Sequence, residues 1–347
     1  MMKYSFVMLS LMLVVSPLVA QADCGLEPRL IAGEFGQVTP GEANNVRAEP
    51  TRSAELIGQL PGGAVITVLD GPVCANGFTW WEVAFAQGGE QATGWTVESN
   101  ATDYFLTPLE GQPVTYENVA FLLPAGIASR AEGAFIEAEM TSDESGVGAP
   151  GYVEFTFEDY PDDEHRRFDY PQLRVYTATA FEGIENMLGD TGRYAVEALA
   201  QVLAERPELY RFNVTDNRIP DDTPGAANTV LAKLGYLDFQ NGGGYRYITA
   251  YAQDFVGPDN EGLQYRYLGL TDDGAYFVSG RFPVNSPELP EDFDRQATFD
   301  DADYGFGAFQ EYALETAALF DAIPPEEYTP DLSQLDALIA SLVIGDA

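Results

Sequence analysis

Between Asn44 and Leu106, closely spaced glycines cut the sequence into short apolar stretches, and this pattern limits what the region can fold into. Stretches such as Ala64–Leu69 alternate as a half-buried strand does, and almost no helix signal is present. An all-β region rich in hairpins is therefore predicted. The glycines that separate its strands are Gly58, Gly62, Gly63, Gly71, Gly77, Gly88 and Gly89.

Four short motifs follow one another in this region. They are Asn45-Val-Arg47, Ile57-Gly-Gln-Leu60, the Trp-x-x-Val sequence of Trp80–Val83, and Gly94-Trp95. Their order resembles the bacterial SH3-like domain, a small barrel appended to many secreted and cell-wall proteins. The resemblance covers about a fifth of the chain and implies a barrel over residues 23–110 that binds a cell-wall peptide or an envelope protein.

Two departures from the family lie in loops that shape its binding face, so the ligand class of the family transfers poorly to this chain. The first departure is the long Asp70–Phe78 loop, which carries a cysteine. The second is an insertion at Gln87–Thr93.

The three tryptophans of the chain, Trp80, Trp81 and Trp95, all lie in this region. Adjacent residues on a strand face opposite sides, so we expect one of Trp80 and Trp81 to be buried and the other to face solvent or a neighbour. The family resemblance implies that Trp81 lies near the core, while Trp80, Trp95 and Tyr104 line a ligand groove. Alternatively, all three tryptophans fill a small core, and for Trp95 core packing is favoured.

The first residues have the pattern of a secretory signal. Lys3 precedes the apolar run Phe6–Val15, and Ala20-Gln-Ala22 forms a cleavage site, so residues 1–22 are predicted to be removed. The apolar run is too short to cross a bilayer comfortably, and no later run approaches about twenty residues. We expect a secreted or envelope protein that does not span the membrane.

Two cysteines in an exported chain are most simply one disulfide, so we predict a Cys24–Cys74 bond that attaches the mature N-terminus to the barrel. Lipid anchoring at Cys24 is the alternative. It is disfavoured because Asp23 stands where a lipoprotein has a small residue.

The charge of the chain excludes some partners. Asp and Glu total 55 against 17 Lys and Arg, which gives a net charge of −38. Such a surface repels nucleic acid and anionic lipid headgroups. Solubility is the simpler explanation of this acidity, and recognition of cations or of a basic partner is the alternative. The sequence does not indicate an oligomeric state.

A polar stretch at Leu109–Tyr116 marks the predicted boundary with a second domain, residues 111–347, which resembles no family that we recognise. Strand patterns dominate this part, and Asp273-Gly274 is a hairpin signal. We therefore predict an α+β domain with a largely antiparallel sheet and C-terminal helices. The predicted helices are Ala180–Leu188, Ala195–Ala204, Phe309–Ile323 and Leu332–Val343.

Catalytic side-chain types are scarce. The single histidine, His165, lies among charged residues and is interpreted as a solvated loop residue. With both cysteines bonded, Cys–His endopeptidases, zinc amidases and cysteine transpeptidases are disfavoured. The acidic run Asp300–Gly305 lacks calcium-loop spacing, so a solvated loop is favoured over a weak calcium site. No cofactor, metal ligand or catalytic residue is predicted.

The sequence therefore predicts a secreted, non-enzymatic protein that binds a cell-wall or envelope component through an SH3-like module. Two alternatives remain open. One is a carboxylate-dependent, glycosidase-like hydrolase housed in the C-terminal domain. The other is a structural or ligand-sensing envelope protein that uses the barrel only as an anchor.

Overall fold

The computed structural model describes residues 24–39, 43–87, 90–139, 148–161, 170–209, 221–223, 225–253, 256–289 and 306–345. The predicted signal sequence, His165 and the Asp300–Gly305 run lie outside the described residues.

The N-terminal region forms one seven-stranded antiparallel sheet. Its strands are β1 (Phe35–Val38), β2 (Asn44–Arg47), β3 (Leu56–Leu60), β4 (Val65–Ala75), β5 (Phe78–Gln87), β6 (Glu90–Ser99) and β7 (Leu106–Pro108). The strand order is β3-β2-β6-β5-β4-β1-β7, and the two edges are not hydrogen-bonded to each other in the described part of the chain. The sheet confirms the all-β prediction, but not the predicted closed barrel.

Apolar side chains from alternate strand positions form the core of this sheet. The pleat sends Trp81 and Val83 to the same side of β5, where they pack with Ile66 and Val68 of β4. Gly63 has φ +86°, a left-handed conformation that favours glycine, and it allows the tight turn from β3 into β4.

The C-terminal region has twelve further strands and three α-helices among its described residues. The helices are α1 (Met187–Glu205), α2 (Phe306–Ala322) and α3 (Leu332–Ala340), with a short 3-10 helix at Pro325–Glu327. The strands are β8 (Gly111–Tyr116), β9 (Val119–Pro124), β10 (Arg130–Ile136), β11 (Tyr152–Glu158), β12 (Gln172–Thr177), β13 (Ala227–Asn228), β14 (Ala232–Phe239), β15 (Gly242–Thr249), β16 (Tyr251–Ala252), β17 (Gln264–Thr271), β18 (Tyr276–Pro283) and β19 (Val343–Ile344).

A second seven-stranded antiparallel sheet, ordered β10-β11-β12-β18-β17-β15-β14, is the centre of this region. Helix α1 packs on one face through Ala195 and Leu199. The other face is covered by α2, α3 and a small sheet ordered β19-β9-β8. The remaining pair, β13 and β16, forms a two-stranded sheet. The mixed α+β class predicted for the chain is confirmed.

The prediction of separate helices at Ala180–Leu188 and Ala195–Ala204 is wrong, because one helix, α1, spans Met187–Glu205. The segment predicted as helix from Ala180 is turn as far as Asn186, whose side chain accepts a hydrogen bond from the Gly189 amide and caps α1. Arg193 holds that turn by donating to the carbonyl oxygens of Phe181 and Ile184. At the other end, α3 stops at Ala340, and the residues expected to continue it form β19 instead.

The two large sheets meet at a small apolar cluster. Val65 of β4 packs with Ala337 and Ala340 of α3, and Leu237 of β14 is partly buried against them. Beside this cluster, the Thr67 hydroxyl donates to the Gln240 side-chain oxygen at 3.0 Å. These contacts place the turn between β3 and β4 opposite the edge of the C-terminal sheet.

Candidate ligand-binding cleft between the two sheets

The predicted aromatic groove does not form an open surface. Trp81 lies in the core, as expected, with 3% of its surface exposed. Trp80 lies outside that core cluster, but it is only 1% exposed, and its indole donates to the Ala75 carbonyl oxygen at 3.0 Å. Neither ring faces solvent, so of the two expected surroundings, solvent or a neighbour, Trp80 has neighbouring residues. A ligand does not reach the Trp80 ring in this structure.

Tyr104 is occupied by the N-terminal strap, which we define as residues 24–30. Its hydroxyl donates to the Glu27 carbonyl oxygen at 2.7 Å, and the Arg29 guanidinium lies 3.6 Å from its ring centre. The third predicted groove residue, Trp95, is half-buried on β6 opposite Glu82. A ligand-binding role for these aromatic residues remains a prediction, and the strap covers one of them.

The predicted disulfide between Cys24 and Cys74 is present, and the two Cα atoms are 5.2 Å apart. It attaches the strap to the end of β4 and uses the sulfur atom that a lipid anchor at Cys24 would need. Such a bond fits a protein of an oxidising, extracytoplasmic compartment. None of the described helices is long and apolar enough to cross a membrane.

A cleft of about 860 Å³ separates the N-terminal sheet from the C-terminal region. One wall is the turn from Pro61 to Val65 with neighbouring glutamines, and it carries no charge among its described residues. The opposite wall carries charged side chains from α1, β14, β15 and α3. The charged residues of that wall are Arg206, Asp238, Arg246, Glu326, Asp331 and Asp336.

Arg206 forms the first ion pair of the charged wall. It ends α1 in a left-handed conformation with φ +39°, and its guanidinium binds the Asp238 carboxylate on β14. The same guanidinium lies 5.0 Å from the Tyr236 ring centre. Gly243 of β15 leaves the necessary room, because a Cβ there would lie 2.6 Å from Asp238 Oδ1. Within the described part of the chain, the buried Arg206 Nε has no hydrogen-bond acceptor.

Arg246 and Asp336 form the second ion pair, between β15 and α3. Arg246 Nε donates to Asp336 Oδ1 at 3.0 Å, and the buried Tyr265 hydroxyl donates to the same oxygen at 2.7 Å. Burial raises the pKa of Tyr265, and the Asp336 carboxylate raises it further. Tyr265 therefore stays protonated and fixes the carboxylate in place.

The two ion pairs lie on opposite faces of the C-terminal sheet. Asp238 is paired with Gly243, and Gly235 with Arg246, so Asp238 and Arg246 belong to alternating positions of the β14–β15 ladder. The Arg206–Asp238 pair lies on the α1 face and the Arg246–Asp336 pair lies on the α3 face. The cleft therefore extends around the edge of the sheet at β14.

A second polar cluster is fully closed. Arg266 of β17 is 0% exposed and binds the Asp222 carboxylate, while its Nε donates to the Tyr251 hydroxyl at 3.0 Å. Tyr247 and Tyr251 each donate to Asp221 Oδ2 at 2.6 Å. The charged and polar groups of this cluster bind one another. The cluster therefore holds residues 221–223 on the sheet.

Four carboxylates line the cleft, those of Asp238, Glu326, Asp331 and Asp336. Asp238 binds Arg206, and Asp336 binds Arg246. Among the described residues, no group of three or more His, Cys, Asp or Glu side chains could hold a metal ion.

The cleft residues were missed because no local pattern marks them. Arg206 follows a helix and precedes Pro207, and it reads as an ordinary helix end. Arg246 interrupts the apolar run of β15 between Tyr245 and Tyr247, and a charge within a buried strand is the one signal that could have been noticed.

No protein-family model matches the sequence, and no curated protein is similar to it.

Proposed function

We propose that the protein is an extracytoplasmic binding protein of the bacterial cell envelope, whose SH3-like N-terminal module and C-terminal α+β region hold the ligand between them. The cleft of about 860 Å³ with walls from both regions carries this proposal. Its volume lies in the range of roughly 300–1,000 Å³ common for ligand sites, which often occur between domains. The four sequence motifs support the SH3-like assignment, and the disulfide supports the location.

Binding fits the cleft better than catalysis does. Of the four carboxylates that line the cleft, Asp238 and Asp336 are held by Arg206 and Arg246. The uncharged wall contributes glycines, glutamines and apolar carbons, which supply contact surface rather than reactive groups.

Retention of the protein on purified bacterial envelope fragments tests the proposal. Gly62 is exposed on the turn that lines the cleft, so Gly62→Trp fills the cleft without disturbing a core. We expect wild type to be retained and Gly62→Trp to be released. The matched control is Gly307→Trp, because Gly307 is exposed, has open space around it and lies outside the cleft. Equal retention of wild type and Gly62→Trp, or no retention of wild type, would contradict the proposal.

A further inference from the structure

The outer edge of the C-terminal sheet opens onto the cleft. β14 is the last strand of that sheet, so its outer side has no strand partner in the described part of the chain. Three consecutive residues of β14, Tyr236, Leu237 and Asp238, line the cleft. Consecutive strand residues point to opposite faces, so the cleft must run along the edge of the strand.

The beginning of this edge is protected, and just beyond its end the Gln240 backbone amide donates to the Leu342 carbonyl oxygen at 3.0 Å. The β14–β15 register shifts between Ala232 and Gly235, and Lys233 in this irregular stretch donates its backbone amide to Asp321 of α2 at 2.6 Å. A bulge and a covering side chain are the usual means of blocking an exposed edge. By contrast, no described loop or helix makes a backbone–backbone hydrogen bond to residues 236–238.

One ion pair lies on each face of the sheet beside the open edge. A peptide that adds to β14 would send alternate side chains to the two faces of the sheet. On one face they meet the Arg206–Asp238 pair, and on the other they meet the Arg246–Asp336 pair.

The charge of the cleft favours a positively charged peptide. Both arginines of the wall are already paired with aspartates, whereas Glu326 and Asp331 add negative charge and form no ion pair within the described part of the chain. The chain as a whole carries −38. An acidic ligand would be repelled and a basic one attracted.

We infer that the cleft binds an extended peptide with basic side chains, which adds as a strand to the outer edge of β14. This inference rests on the proposed function and names its ligand class. The turn from Pro61 to Val65 closes over the added strand from the other side, so the N-terminal sheet takes part in binding without supplying charge.

Selection of displayed random octapeptides on the full chain tests this inference. We expect the selected peptides to carry Lys or Arg at positions an odd number of residues apart, so that the two basic side chains reach opposite faces of the sheet. Synthetic copies, followed by fluorescence anisotropy, should bind wild type and Gly307→Trp equally. Binding should fall by at least about tenfold on Gly62→Trp, and by a similar factor when alternate backbone amides of the peptide are N-methylated.

Three outcomes overturn the inference: no peptide selected above background, selection of acidic peptides, or equal affinity for N-methylated copies. Tetra-N-acetylchitotetraose serves as a neutral glycan probe in the same assay. If that sugar binds and the peptides do not, the ligand class is wrong while the cleft still serves as the binding site. If envelope retention is unaffected by Gly62→Trp, the proposed function itself fails.

Discussion

Glu98 determines how the N-terminal strap is attached. Its carboxylate is 0% exposed and accepts hydrogen bonds from the backbone amides of Arg29 and Leu30 at 2.6 and 3.1 Å. The other oxygen accepts the Trp81 indole N–H at 2.7 Å. One buried side chain therefore joins the strap to the core of the sheet.

Substituting Glu98→Gln should destabilise the N-terminal region by about 1–3 kcal/mol, because the amide offers one acceptor oxygen where three donors converge. Chemical denaturation followed by tryptophan fluorescence measures this loss. Glu82→Gln on the neighbouring strand β5 is the control and should be near neutral, since Glu82 is only half-buried. Equal effects of the two substitutions would contradict the assigned role of Glu98.

The positions and contacts of single residues in the N-terminal region could be predicted only in part. The disulfide followed from two cysteines in an exported chain, and the burial of Trp81 followed from the family resemblance. The burial of Trp80 did not follow, because alternation tells which side of a strand a residue takes and not what covers that side. Tyr104 is covered by a strap whose path depends on Glu98, more than sixty positions from Arg29 and Leu30.

At the scale of elements, an ionic cluster fastens residues 221–223 to the C-terminal sheet. Burial by itself would raise the pKa of Asp222, but the Arg266 and Arg281 guanidiniums, with a hydrogen bond from Ser279, bring it below its ordinary value. Folding therefore stabilises the ionised form of the Asp222 carboxylate relative to its protonated form.

This depressed pKa makes the contribution of Asp222 depend on pH. The stabilisation is fully present above the unfolded pKa of about 3.9 and is lost as the pH falls through the lower folded value. Asp222→Asn should cost about 1–3 kcal/mol at pH 7, because the buried Arg266 loses its nearer anion and keeps the Asp221 carboxylate 3.8 Å away. The difference in unfolding free energy between wild type and variant should shrink below about pH 4. A difference that stays constant down to about pH 2.5 would contradict this role.

The strap depends equally on its disulfide, which closes a loop with a sequence separation of 50. By the chain-entropy model, the bond is worth on the order of 4 kcal/mol. The double variant Cys24→Ser and Cys74→Ser should lose about that much in denaturant unfolding. Reduction of wild type with dithiothreitol should produce the same loss and should leave the double variant unchanged. A loss well under about 1 kcal/mol would show that the strap is held without the disulfide.

Strands were predicted better than helix ends. Alternating segments such as Val153–Phe157 keep their period because each strand buries one set of alternate side chains. The segment from Ala180 has helical composition but forms turns, since Arg193 binds two of its carbonyl oxygens. Similarly, Ser341 follows α3 and binds the Leu338 carbonyl oxygen and the Leu122 amide, contacts that no local pattern reveals.

At the scale of the whole molecule, a small apolar interface sets the width of the cleft. Val65 is 6% exposed and lies in that interface, whereas Leu69 on the same strand is 42% exposed. Val65→Asp should separate the two sheets, because an unpaired carboxylate in the interface costs several kcal/mol. Small-angle X-ray scattering should show a larger radius of gyration for Val65→Asp than for wild type. Leu69→Asp should leave the radius of gyration unchanged. An unchanged radius would mean that other contacts hold the two regions together.

The cleft itself was beyond prediction from the sequence. It joins Gly62, Arg206 and Asp336, which lie far apart in the chain and come together only through the packing of α3 against both sheets. The α+β class was predictable because it depends on local periodicity. The closed barrel was expected from family motifs, and the described strands leave its edges β3 and β7 unpaired.

The pairing of β19 with β9 has a consequence for how the protein folds. Val343 pairs with Ala120, and the Gly345 amide donates to the Asn118 carbonyl oxygen, so these contacts join positions more than two hundred residues apart. Closing so long a loop is entropically costly, and folding rates fall as contacts become less local. β8 and β9 form a local hairpin, whereas β19 can join them only when this long loop closes. We infer an order of assembly in which the β8–β9 hairpin forms first and β19 joins it last.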